Sequence, residues 1–340
     1  MTIDYRSEEL KAESMKKVEI LQSSWMGRVG EAEAESDDAK AETKDTSVEA
    51  VCSSSTNWKN PFLTEFLILL RRNWIDMVRD KPTIFASIGQ AVVNVLLLGF
   101  IFFRLDLGET ASQNRVGALF MMTIQNTFGT VMPTISVFTL QRMIIKRERA
   151  AGTYRASSAY FSKIASQLPL TLAGCLLFAL PVYWMIGLQN SLSRYLTFIA
   201  ILLIHACIAV FMGIMISSGV PNVQVGTIIG PIFIVIFLIF GGPLVNLDTA
   251  PDALKWIKWL SVIRYTFSAL SINEFTGLVF SCPPNAPACA PNGETTLKLF
   301  SLDALDLWYN VLVNFCLGLA FIVIGFLLFN WKSKPLLRLK

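Results

Sequence analysis

Apolar residues along this chain gather into six long runs, at residues 83–103, 116–140, 164–188, 195–218, 223–245 and 309–330, and none of these runs contains Asp, Glu, Lys or Arg. At 1.5 Å of rise per residue, about 20 residues cross a hydrocarbon core of about 30 Å, so each run predicts a membrane-spanning helix. The run 223–245 organises the rest. It leads into a stretch still rich in Trp, Leu, Ile and Phe but interrupted by Lys255, Lys258 and Arg264, each costly at mid-membrane. Between the two, Gly241-Gly242-Pro243-Leu244 ends helical hydrogen bonding and lets the chain turn. The pattern predicts a spanning helix, a break, and a helical segment that dips back on the far side. The expected fold class is an all-α membrane protein: six transmembrane helices, an N-terminal amphipathic surface helix and an extracytoplasmic re-entrant helical segment.

Residues 4–21 carry Leu10, Met15, Val18 and Leu21 at roughly helical spacing among charges, as a soluble amphipathic helix would. Residues 31–56 have almost nothing to bury and read as a disordered linker. From Asn60-Pro61 onward, Phe62, Phe66, Leu69, Leu70 and Trp74 fall toward one side, with Arg71, Arg72, Arg79 and Lys81 outside it. This is the expected surface helix. The stretch 141–163 holds Arg142, Lys146, Arg147, Arg149, Arg155 and Lys163 against the single acid Glu148, and a loop so basic stays in the cytoplasm. Pro169 and Pro181 should kink the third span. Lys332, Lys334, Arg338 and Lys340 close the chain. Both termini are then cytosolic, and residues 247–308 lie outside. Residues 1–59 form a cytosolic, partly disordered linker and 60–340 the six-span domain, in the plasma membrane or an organelle membrane.

Composition supports this reading. The 340 residues are 53% hydrophobic and 16% charged, against about 25% charged in soluble domains. A net charge of +4 invites a nucleic-acid partner, but the basic residues flank apolar runs, so none is expected. Cysteines are scattered rather than arranged in C-x-x-C pairs, which argues against a metal site. Cys282 and Cys289 alone look like a pair. Outside the cell, with Pro283, Pro284 and Pro287 folding the loop back, they are expected to form a disulfide, with free thiols or a bridge to a second subunit as the alternatives.

No G-x-x-x-x-G-K-[ST] sequence occurs, so the chain has no catalytic residues of its own for ATP hydrolysis and binds no cofactor directly. Spans free of Asp, Glu, Lys and Arg argue against an ion-coupled transporter or a channel. His205, the only histidine, is more readily a hydrogen-bonded packing residue than a proton relay. Thr123, Gln125, Asn126 and Thr127 make the second span polar beside Phe128, Gly129 and Pro133. Amides in lipid need partners, so that span meets protein or water, as helix-helix glue or as the wall of a substrate path.

In combination, several motifs resemble the membrane half of the G subfamily of ATP-binding-cassette half-transporters, the white/brown-complex type. They are Arg71-Arg72 and Arg79-Asp80 on the surface helix; Arg147-Glu148-Arg149, Gly152, Tyr154-Arg155 and Tyr160-Phe161 in the basic loop; Phe240-Gly241-Gly242-Pro243-Leu244-Val245-Asn246; Arg264-Tyr265; and Asn273-Glu274-Phe275 with Gly277. The resemblance covers residues 60–340. The nucleotide-binding domain that precedes this half in the family is missing from the sequence, which implies a truncated product or an ATPase on another polypeptide.

The resemblance implies a homo- or heterodimer that exports lipids, sterols or amphipathic small molecules, with ATP and Mg engaged through the nucleotide-binding domain. It places Asn126, Phe128, Val235 and Leu238 on the cavity wall and Leu244 in an apolar plug, where Pro243 replaces a more usual Leu, Tyr or Phe. It makes the basic loop a coupling helix; from charge alone Glu148, the one acid there and next to Arg149, can pair with Arg71 or Arg72 if that helix lies beside the surface helix. A truncated, non-transporting scaffold or dominant-negative partner is the alternative.

Overall fold

In hydrocarbon a backbone must satisfy its own polar groups, and an uninterrupted apolar run does so as a helix. The computed structural model describes residues 61–332 apart from 107, 109–110, 151–152, 242–255, 281–291, 301 and 303–305. In chain order its helices are α1 (Phe62–Arg79), α2 (Lys81–Ile101), α3 (Ala111–Ala150), α4 (Ala156–Ile186), α5 (Leu192–Gly219) and α6 (Val223–Ile239). A short 3-10 turn (Trp256–Trp259), α7 (Val262–Phe275), α8 (Gly293–Leu299) and α9 (Leu307–Lys332) follow. Among the described residues the only extended pairing is one bridge between Val279 and Asn292. The chain is an all-α membrane protein. The expected linker 1–59, Leu244, Cys282 and Cys289 lie outside the described residues.

Five helices, α2, α3, α4, α5 and α9, are long and apolar enough to cross a membrane. The expected fifth span differs: α6 has 17 residues, about 25 Å, and stops at Ile239 rather than 245. The cause lies far along the chain. Ser261 Oγ, at the N-terminus of α7, donates 2.7 Å to the Phe237 carbonyl. A Cβ at Gly241 would come within 2.4 Å of both atoms, so the chain can pass only as glycine.

The basic loop is corrected as well. The second span was expected to end at 140, but α3 continues to Ala150 and α4 begins at Ala156. Gln, Arg, Met, Lys and Glu are good helix formers, so charge takes α3 out of the apolar layer without ending the helix.

Helix α1 meets the bundle through two residues. Glu65 and Leu69 are its buried residues, while Phe62 and Trp74 stay exposed. Glu65 Oε2 accepts from the Arg155 N–H at 3.3 Å and from Ser158 Oγ at 3.0 Å. An acid of α1 thus caps the N-terminus of α4, where free N–H groups favour negative charge.

Helix α5 sits at the centre, packed by α3, α4, α6, α7 and α9. Leu202, Ile208, Ala209 and Met212 are buried there, and Phe120 of α3 meets Phe267 of α7 edge to face at 5.4 Å. Phe138, Tyr160 and Phe329 close a second cluster between α3, α4 and α9. Helix α6 lies on α3 through Gly226 and Gly230, where added Cβ atoms would fall 2.8 and 2.7 Å from Ile135. Four-residue spacing of small residues brings two membrane helices close. Gly230→Val is therefore expected to lower stability by about 1–3 kcal/mol through overpacking. Thermal unfolding of the purified protein in detergent checks this; an unchanged midpoint would show that Ile135 gives way freely.

Candidate functional site

At the basic end of the bundle, α1 lies beside the charged extension of α3. Arg72 Nη1 and Nη2 donate to the two Glu148 oxygens at 2.9 and 2.6 Å, a bidentate fork, and Tyr154 O–H donates to the same carboxylate at 2.6 Å. The carboxylate raises Arg72 further above its ordinary value, and burial followed by the bond to Glu148 raises the Tyr154 phenol. The side chains of Arg72 and Glu148 remain 48% and 27% exposed, so water screens the pair and its contribution to stability is about 1 kcal/mol or less. What the fork supplies is position. Arg71 is exposed beside it, and Nη1 of half-buried Arg149 has no hydrogen-bond partner among the described residues.

Arg142, nearly two turns earlier on α3, is buried and donates to the carbonyls of Ser217 (2.9 Å), Ser218 (2.7 Å), Val220 and Pro221 (3.2 Å). Lys332 reaches the Gly219 carbonyl. These two cations take up the carbonyl groups that the C-terminus of α5 leaves unpaired.

In the interior, His205 of α5 is fully buried, with Thr127 Oγ1 2.9 Å from Nε2 and Thr266 Oγ1 2.7 Å from Nδ1. Asn314 Nδ2 donates to the same Thr266 oxygen at 2.8 Å. This chain ties α3, α5, α7 and α9 together with neutral partners only. The second-span polar cluster therefore divides. Thr127 belongs to the histidine network, whereas Asn126 donates to the Leu202 carbonyl at 3.3 Å and faces a groove between α2, α3 and α4.

Phe128 of α3 and Leu238 of α6 are half-buried against the main core, and Val235 is 42% exposed. No residue of α6 lines the Asn126 groove, so Asn126 stands on a different surface from Val235 and Leu238.

At the opposite end, Arg115 and Glu274 form a buried ion pair, 4% and 1% exposed. Arg115 Nη2 also donates to the carbonyls of Leu105 (3.1 Å) and Gly187 (3.2 Å), while the Gln189 N–H donates to Glu274 Oε2 at 3.2 Å. Arg194 and Asn273 exchange side-chain to carbonyl bonds at 2.6 and 3.0 Å. The Asn273-Glu274 motif thus ties α7 to the start of α3 and to the α4–α5 turn. The pairing with Arg115 was not read from the sequence; an acid within the apolar α7 segment, and a lone base at the head of the second span, were the available signals.

Residues 64–275 match the ABC-2 type transporter family. The chain belongs to that family. Among relatives, ABC transporter G family member 7 of Arabidopsis thaliana is 31% identical over 82% of this chain and 39% of its own length. The mouse broad substrate specificity ATP-binding cassette transporter ABCG2 is 30% identical over 73% of this chain and 40% of its own, and Protein white of Drosophila melanogaster 28% over 79% and 39%. This ABC-2 chain spans about two fifths of the length of the curated relatives it matches.

The Arg115–Glu274 pair gives a direct test. Removing one partner of a buried pair leaves a charge uncompensated, at a cost of about 3–5 kcal/mol. Glu274→Gln is therefore expected to lower the thermal midpoint sharply in detergent, and Glu274→Gln with Arg115→Gln to recover part of the loss. A double variant as unstable as the sum of the singles would show that the two residues act separately.

Proposed function

We propose that this chain is the transmembrane subunit of an ATP-driven exporter of lipids, sterols or amphipathic small molecules. Two such subunits, identical or related, form the path, and a nucleotide-binding domain outside these 340 residues supplies ATP hydrolysis with its Mg. Membership of the ABC-2 family and likeness to ATP-binding cassette transporters support the class of activity. The observation that carries the mechanism is the Arg72–Glu148–Tyr154 clamp.

A membrane domain without its own ATPase must receive force through a surface outside the lipid. The clamp is placed for that task. It joins α1 to the end of α3 where α3 turns into α4, so displacement of this corner moves three helices together. Because the pair is wet and weak, it can be remade at little cost in each cycle, as a coupling contact requires. In this reading the basic end is cytosolic, as the Lys and Arg bias demands. Phe128, Val235 and Leu238 supply apolar and aromatic wall, and Leu244 the plug. Such a wall suits an amphipathic solute.

Reconstituted with its ATPase partner, Glu148→Ala is expected to lower substrate-stimulated ATP turnover several-fold, and Glu148→Ala with Arg72→Ala to regain part of it. Equal rates in wild type and both variants would remove the clamp from the mechanism. For topology, a cysteine introduced near Asn292 is expected to label on intact cells and one near Ser36 not to label; the reverse pattern would invert the orientation.

A further inference from the structure

Behind the Arg72–Glu148 clamp, α1, α3 and α4 surround a pocket of about 100 Å³, far more than the roughly 15 Å³ that one water needs. Its walls carry four charges, Arg72, Asp76, Glu148 and Lys163. No residue of α6 lines it, so it stands apart from the surface of Val235 and Leu238. Two of the charges are spent on each other, since Arg72 holds both Glu148 oxygens and Tyr154 adds a bond to the same carboxylate. Asn73 and Ser162 are spent as well: Asn73 Nδ2 donates to Ser162 Oγ at 3.3 Å, and Ser162 Oγ donates to the Ala159 carbonyl at 3.0 Å.

Three groups are left over. Lys163 of α4 is 5% exposed, yet its ammonium donates to no described residue and no described carboxylate stands at ion-pair distance from it. Gln141 of α3 has a buried Oε1 that accepts from no described residue. Asp76 of α1 lies exposed at the rim, without an ion-pair partner among the described residues. A buried ammonium and a buried amide oxygen have each given up water, and only a partner returns what that costs.

The charges select the occupant. A bare anion would suit Lys163 but meet the Asp76 carboxylate, and a bare cation would suit Asp76 and Gln141 but meet Lys163. A molecule with an anionic group at one end and an N–H-bearing cation at the other satisfies all three. At the end of the apolar layer, where charge takes α3 out of it, phosphate is the anion that a membrane supplies. We propose that the pocket binds a phosphoethanolamine group, its phosphate on the Lys163 ammonium and its primary ammonium on Gln141 Oε1 and the Asp76 carboxylate. Ile144 lines the pocket and is 53% exposed, and Leu140, one turn back on the same face of α3, is 62% exposed. Acyl chains attached to the group therefore have an apolar way out along α3. The headgroup of an aminophospholipid and a free phosphoethanolamine ester carry this same chemistry.

The test uses the whole chain in detergent micelles, without nucleotide, with dioleoylphosphatidylethanolamine added as the probe. Dioleoylphosphatidylcholine, whose trimethylated nitrogen has no N–H, and dioleoylphosphatidylglycerol, which has no cation, are the controls. Native mass spectrometry is expected to show one ethanolamine lipid retained per chain, preferred at least tenfold over either control. Lys163→Met is expected to weaken retention at least tenfold. Asp76→Asn, at an exposed position, is expected to erase the preference over phosphatidylcholine, and it decides alone should the Lys163 variant fail to fold. Displacement of the lipid by free phosphoethanolamine would assign the pocket to the soluble ester, and a lipid that resists displacement would assign it to the headgroup; either supports the proposal. Equal retention of the three lipids, tighter retention of phosphatidylglycerol, or wild-type selectivity in a folded variant would overturn it.

Discussion

The bundle depends on how the carbonyl end of α5 is held. This helix is the one that α3, α4, α6, α7 and α9 all pack against. Its last turn exposes carbonyl groups that water cannot reach, because Ser217 and Ser218 are fully buried. Arg142 resolves the problem by placing one guanidinium under four of the carbonyls that end α5 and lead into α6. A planar fork with several donors suits this position, whereas a lysine ammonium would reach fewer of them. The charge that takes α3 out of the apolar layer is thus also what completes α5.

Neutral bonds dominate the middle of the bundle and ionic ones its ends. His205, Thr127, Thr266 and Asn314 are linked without a carboxylate, so nothing in that chain needs a counter-ion. Among the described residues, ion pairs sit at Arg115–Glu274 and Arg72–Glu148, and they differ in exposure. The dry pair fixes a joint, and the wet pair can open. That division follows from dielectric alone, since the same charges interact far more weakly where water reaches them.

Most spans were legible because a charge-free run of sufficient length has few alternatives in a membrane. Their ends were less so. The end of α3 was misplaced because residues 141–150 keep helical propensity after hydropathy falls. The end of α6 was misplaced because Ser261, remote in sequence, sets it. Glu65 carried no signal of its own in the sequence, and only the approach of α4 gives it partners. The pocket behind the clamp was invisible as a group, since Asp76, Gln141 and Lys163 come from three helices and Lys163 read as one more base in the basic stretch. The Arg72–Glu148 fork was readable as a possible pair from charge alone, but not its bidentate geometry or the part taken by Tyr154.

Helix α3 runs unbroken from Arg115, locked at one end, to Glu148, clamped at the other, with Pro133 inside it. Mechanically this is a lever with its fulcrum near the middle. From Pro133 to Glu148 the arm is about 22 Å, so a tilt of about 5° there sweeps the clamp by about 2 Å. The far arm, anchored by a buried ion pair, has no comparable freedom. A push applied at Glu148 therefore becomes bending at Pro133, on the stretch of α3 that faces both α6 and the Asn126 groove.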